Sequence, residues 1–162
     1  MNIDSLKKHY EIVQLSTEDK PYESFYGNGI FDKSTDNSML IQNGSESDAV
    51  VFLETEDGKT FRHVYIREGD SFRMNNILRG KYLLKIYQGR NWNSGKIQGE
   101  SYPVGGFMDI LSISVSSKMD ILDFPYSISN KYMTYDVTLY KVEVGNFVTN
   151  PIDEEDLFGE PL

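Results

Sequence analysis

The chain of 162 residues contains no cysteine. That removes a disulfide framework and any thiolate metal site, and it leans toward a reducing compartment. Histidine is nearly absent as well. His9 and His63 are too few for most zinc sites. Positive charge is in deficit, with 16 Lys and Arg against 25 Asp and Glu and a net charge of −9. A nucleic-acid binder needs a basic face to neutralise phosphates, and an anionic membrane surface repels an acidic chain. A basic protein partner, or simple solubility, fits the charge better. No window approaches the roughly 18 consecutive apolar residues of a membrane-spanning helix. The opening MNIDSLKKHYEIV lacks the apolar stretch of a secretory signal. The expected location is therefore cytoplasmic for the chain as written, or the cell envelope if it is a piece of a longer protein. No G-x-S-x-G elbow, Walker loop, H-E-x-x-H or EF-hand pattern occurs, so no cofactor, metal or enzymatic activity is expected.

What is present is a β pattern. From Asp48 to Gly89 the chain reads as four short strands with turns written between them. Asp57-Gly58 lies between two β-branched and aromatic runs, a strong hairpin signal. Glu68-Gly69-Asp70 and Arg79-Gly80 mark the next corners. Expected strands are Met39–Ile41, Ala49–Thr55, Thr60–Arg67, Ser71–Asn75, Lys81–Gln88, Phe107–Val115, a short one near Tyr126–Ile128, and Tyr132–Val144. In Thr60–Arg67 an aromatic-polar face, Phe61, His63 and Tyr65, alternates with Arg62, Val64 and Ile66, which suits a sheet with one side on the core. In the last strand, Tyr140, Val142 and Val144 point to a switch of face or a bulge. Ile3, Leu6, Tyr10 and Val13 recur at helical spacing and predict a short N-terminal helix over residues 3–15.

These elements predict an all-β, antiparallel sandwich of seven to eight short strands with one short N-terminal helix. Residues 1–37 form the helix and an aromatic-rich arm packed on the domain. Residues 38–145 form the sandwich, and residues 146–162 an acidic, loose tail. The arm carries Tyr22, Phe25, Tyr26, Ile30 and Phe31, more rings than a disordered linker usually holds.

The run Tyr65–Ile86, with Asn76-Ile77-Leu78-Arg79-Gly80-Lys81-Tyr82 followed by Leu84 and Ile86, resembles the second half of a transthyretin-like or PEGA-type β-sandwich module. That class includes carboxypeptidase regulatory-like and Cna-B-type domains. Over residues 25–145 the chain is also similar to an uncharacterised bacterial module of larger, often membrane-associated proteins. The resemblance implies a sandwich fold and a role as an accessory module. The Lys, Asn and acid through which Cna-B domains crosslink have no counterpart that can be placed on this chain.

Two stretches are candidates for binding. The glycine-rich excursion 89–106 holds the only tryptophan, and loops on a rigid sheet are where binding surfaces usually lie. Tyr87, Asn91, Trp92, Asn93 and Tyr102 are its candidate partner- or ligand-binding residues, since exposed Trp and Tyr make protein hot spots and stack on sugars. The simpler reading is that Trp92 plugs the open end of the sandwich. The tail motif Asp153, Glu154, Glu155, Leu157 and Phe158 combines acidic and apolar residues that could dock in a groove. Elsewhere the plain structural readings prevail. His63 is a structural histidine, Asp32, Asp36 and Asp48 are solvated loop acids rather than a Ca²⁺ cage, and Asn43-Gly44-Ser45 is a turn rather than a glycosylation site.

The leading functional expectation is a non-catalytic protein-interaction or accessory module of a bacterial assembly. It would act through the 89–106 loop, an exposed edge strand or the tail. A stand-alone acidic inhibitor or immunity-type protein, with its charge matched to a basic partner, is a second reading. A carbohydrate-binding module is a third, and it requires an exposed, coplanar Trp92 and tyrosine.

Overall fold

A computed structural model describes residues 11–117, 120–125, 132–140 and 149–161. The strands are β1 (Ile12–Val13), β2 (Ser38–Asn43), β3 (Asp48–Thr55), β4 (Lys59–Ile66), β5 (Ser71–Met74), β6 (Gly80–Asn93), β7 (Gly106–Ser116), β8 (Leu122–Phe124), β9 (Thr134–Leu139), β10 (Thr149–Pro151) and β11 (Glu160–Pro161). Two single-turn helices, α1 (Glu23–Tyr26) and α2 (Glu154–Leu157), complete the described residues.

The large sheet runs β10-β7-β6-β3-β4-β11, and the small one β5-β2-β9. The long strand β6 is its spine. On one edge it pairs with β3 over Tyr82–Gly89 and then with β1 at Trp92–Asn93. On the other it pairs with β8 over Gly80–Tyr82 and with β7 from Lys85 onward. Most pairings are antiparallel, while β2 with β9 and β4 with β11 are parallel. β2 to β9 are the eight strands of the sandwich, and β1, β10 and β11 add short pieces from the ends of the chain.

Alternation sorts the side chains of the large sheet. Ala49, Val51 and Leu53 on β3, Val64 and Ile66 on β4, and Tyr82, Leu84 and Ile86 on β6 face the small sheet, where they meet Met39, Ile41, Val137 and Leu139. This is the aliphatic core. A bulge opposite Leu53 and Glu54 turns Phe61 into it, against Tyr82 at 4.5 Å. Phe61 therefore does not share a face with His63 and Tyr65.

The opposite face of the sheet is buried too, which one-sided alternation does not anticipate. Val50, Phe52, Tyr65, Tyr87, Trp92 and Phe107 on this face are roofed by Tyr22 of the arm and by Leu157 and Phe158 of the tail. The result is three layers: small sheet, large sheet, and a roof of two segments far apart in sequence.

Four expectations are corrected here. Ile12–Val13 is a strand, not part of a helix, because the outer end of β6 offers it a pairing edge; residues 1–10 of the expected helix lie outside the described residues. β6 runs on through Asn93, so the excursion shortens to residues 94–105. The tail is not loose, because Leu157 and Phe158 are buried in the roof. β9 ends at Leu139, and the strand expected near Tyr126–Ile128 and the face switch at Val142 and Val144 lie outside the described residues.

Candidate functional site

The loop residues singled out from the sequence fall mostly inside the molecule. Trp92 is 2 % exposed. It stands edge-on to Phe107 at 5.1 Å and to Tyr65 at 5.7 Å, with Tyr22 at 5.6 Å. No face of the indole is left for a sugar or a partner, so Trp92 is a plug. The local cause is Asn91, at φ 60° in the left-handed region. Regular alternation would put Tyr87 and Trp92, five residues apart, on opposite faces. The left-handed residue brings both to the aromatic side. Gly89 makes room, since a Cβ there would lie 2.6 Å from Cβ and Cγ of Phe107.

Tyr87 is buried, and its hydroxyl accepts the Phe107 N–H at 3.0 Å. Burial pushes that phenol up to about 12. Asn93 is buried, and its Oδ1 accepts the Gly95 N–H at 2.8 Å to start the loop. Tyr102 is half-buried against Phe158 at 5.7 Å. Only Asn91 is exposed, and its amide bonds Asp109 across the strands. Of the five, Tyr87, Trp92 and Asn93 are buried and hold the fold, Tyr102 is half-buried, and Asn91 is exposed.

The tail motif divides. Leu157 and Phe158 are buried, with Phe158 edge-on to Tyr22 at 5.3 Å. Asp153, Glu154 and Glu155, with Asp156, are exposed. The groove that takes the apolar half belongs to this chain itself. Beneath it Lys85 and Glu54 form a buried ion pair at 2.6 Å, and Lys85 Nζ also donates to the Asp156 carbonyl at 2.5 Å.

The remaining polar candidates are spoken for. His63 Nε2 accepts the Tyr22 N–H at 3.0 Å. Its pKa falls to about 4, first through burial and then through the charge on Lys20. Asp48 accepts the Tyr65 hydroxyl at 2.5 Å and the Glu68 N–H at 2.9 Å. Asp32 bonds Ser34. Among the described residues no group of three or more His, Asp or Glu is placed to hold a metal. Asn43 donates to the Ser47 and Ile66 carbonyls and accepts from Ser45, which fills its turn role.

Two surfaces remain. One is the start of β7 with its approach loop. β10 covers β7 only at Ser114–Ser116, so Gly106–Ser112 pairs on its outer edge with no strand among the described residues. Opposite Gln88 and Gly89, β7 carries one extra residue, Leu111, which the bulge turns outward to 48 % exposure. Met108 on the same strand, and Ile97 and Val104 in the loop before it, are exposed as well. The Ile152 N–H bonds the Ile113 carbonyl at 3.0 Å, so the chain leaves β7 at this edge straight into the acidic turn Asp153–Asp156.

The other surface is a cavity of about 250 Å³ between the arm, β4 and β5, lined by Glu18, Lys20, Phe31, Arg62, His63, Val64, Phe72 and Met74. The sequence pattern placed Arg62 on the aliphatic side of β4 but did not reveal this space. The arm loop that builds one wall is brought there by long-range contacts alone.

No family model, curated protein or solved structure matches the chain. The fold defines an all-β sandwich of two sheets, and no helix among the described residues is long and apolar enough to cross a membrane.

Proposed function

We propose that this chain is a non-catalytic protein-interaction module, and that it recognises its partner at the open start of β7. One observation carries the reading. Ile97, Val104, Met108 and Leu111 are large apolar side chains left exposed on one strand and its approach loop, beside four consecutive acids, Asp153–Asp156. Apolar side chains rimmed by charge of one sign are the usual composition of a binding surface. The acids choose the partner's chemistry: a segment with apolar anchors flanked by Lys or Arg, which the net charge of −9 would also steer inward. Simple strand addition is disfavoured, because the Leu111 bulge and the Asp109 charge both blunt the edge. Recognition is by side chains, with Leu111 and Met108 as anchors.

An accessory role in a larger bacterial assembly, of the transthyretin-like or PEGA type, fits the same surface. The carbohydrate reading loses its basis with Trp92 buried. The test is a photo-crosslinking amino acid placed at Leu111 and, as a control on the far end of the sheet, at Glu56. The expected result is an adduct with a basic protein from Leu111 only, lost when Met108→Asp is added. Equal adducts from both positions, adducts only with a second copy of the chain, or none at all would overturn the proposal.

A further inference from the structure

Beyond the two residues paired with β11, the outer edge of β4 is closed by the arm except at one residue. Tyr65 N–H donates to the Asp19 carbonyl at 2.8 Å, and the Tyr65 carbonyl accepts the Glu18 N–H at 3.0 Å. Two pairs along, the Phe61 carbonyl accepts the Ile30 N–H at 3.1 Å. His63 lies between them and shares their orientation, since outward-facing backbone groups recur at every second residue of an antiparallel edge. Its own N–H and C=O make no hydrogen bond with any described residue. There the arm bows away, and the cavity opens.

Arg62 stands beside the gap. It is 5 % exposed, and no carboxylate among the described residues pairs with it. Its guanidinium lies 3.8 Å from the Phe31 ring centroid, and Nη1 donates to the Asn75 carbonyl at 2.7 Å. Nε and Nη2 donate to no described residue. That leaves the two-pronged edge of the guanidinium that matches a carboxylate. Lys20 adds a second positive charge, its Nζ fixed by the Asn28 carbonyl at 2.8 Å and held 5.3 Å from the same ring. The other walls are apolar: Val64, Phe72 and Met74. A buried, unpaired arginine is costly unless something compensates it.

We propose that this cavity is a binding site for a small organic monocarboxylate with an apolar body. The carboxylate sits on Arg62 Nε and Nη2, with Lys20 at its flank. The apolar part lies against Val64, Phe72 and Met74. The open N–H of His63 supplies a further donor at the mouth. Glu18, on the rim, repels a second negative charge, which sets a monocarboxylate above phosphate or a dicarboxylate.

Phenylacetate is a suitable probe, followed by amide chemical shifts of the full chain, with neutral 2-phenylethanol and inorganic phosphate as comparisons. Saturable shifts confined to Lys20, Arg62, His63 and Met74, with phenylacetate only, are expected. Arg62→Met should weaken binding by about tenfold or more, as expected for loss of a charge-assisted bidentate contact. Lys20→Gln, on the surface, should weaken it by a smaller factor and serves if the Arg62 variant does not fold. No saturable shift, an equal response to the alcohol, a stronger response to phosphate, or full affinity in both variants would overturn the assignment.

Discussion

The Tyr22 N–H donates to Nε2 of His63 at 3.0 Å, a bond that exists only while the imidazole is neutral. It pins the arm to the sheet at the point where Tyr22 enters the roof, stacked on Phe52 at 5.9 Å.

A pH dependence follows from that bond. The His63 pKa is about 4 in the folded chain, lowered mainly by burial, against an ordinary value of 6.5. Between those values the unfolded chain binds a proton that the folded chain refuses. Stability is therefore fully present above pH 6.5, falls as pH drops toward 4, and is flat below. The slope is about 1.4 kcal/mol per pH unit and the total roughly 3 kcal/mol. Urea melts across this window should show that slope, and His63→Gln should flatten it while lowering stability at pH 7. An unchanged slope in the variant would assign the effect to other groups.

Lys85 and Glu54 make a second test, because their cost is asymmetric. Both are nearly out of water, 2.6 Å apart, under the tail. Lys85→Met alone strands the Glu54 charge and is expected to lose about 3–5 kcal/mol, whereas Lys85→Met with Glu54→Leu should come close to wild type. Denaturant midpoints of the two variants decide the matter. If the single and double variants lose the same amount, the pair contributes nothing specific.

Trp92 reports on the roof. A buried indole should emit toward the blue and resist acrylamide quenching in the native chain, and shift to the red in urea. Trp92→Ala should cost about 3–5 kcal/mol, as for other large buried aromatics. Exposed emission from the native chain would contradict the packing around Tyr22, Tyr65 and Phe107.

The scaffold was legible because its strands are local statements. β-branched and aromatic alternation with Asp57-Gly58, Gly69 and Gly80 at the corners marks β3 to β5 and the start of β6 within a residue or two of their bounds. The parts that misled are set by distant contacts. Nothing near Trp92 says that Tyr22 and Phe158 will cover it, and no periodicity survives the left-handed Asn91. Glycine in 89–93 reads as loop, although Gly89 is there because Phe107 lies over it. Leu157 and Phe158 sit among acids that read as solvated, yet the sheet offers them an aromatic face that only the assembled fold possesses. The Arg62 cavity is invisible for the same reason, since Phe31 and Arg62 become neighbours only when the arm closes on β4.

The tail offers the most local test of this roof. Gly159 passes so close to the sheet that a Cβ would lie 2.6 Å from Glu54 Oε2, 2.7 Å from Thr60 Oγ1 and 2.9 Å from the Gly58 carbonyl. Glu54 cannot swing aside without leaving Lys85, and the Gly58 carbonyl is fixed by the Glu160 N–H at 3.0 Å. Gly159→Ala must therefore lift the tail or distort the ion pair, an overpacking cost of about 1–3 kcal/mol. Lifting it also removes the Gly159 carbonyl from the Tyr26 hydroxyl, 2.9 Å away, so the arm should loosen with it. Glu160→Ala, one residue further on, removes only an exposed partner of Lys59 and should leave the melting temperature unchanged. Hydrogen exchange should then show faster exchange at Tyr26, Phe158 and Glu160 in Gly159→Ala and not in Glu160→Ala. Equal behaviour of the two variants would mean that the tail is not held by the close approach of Gly159.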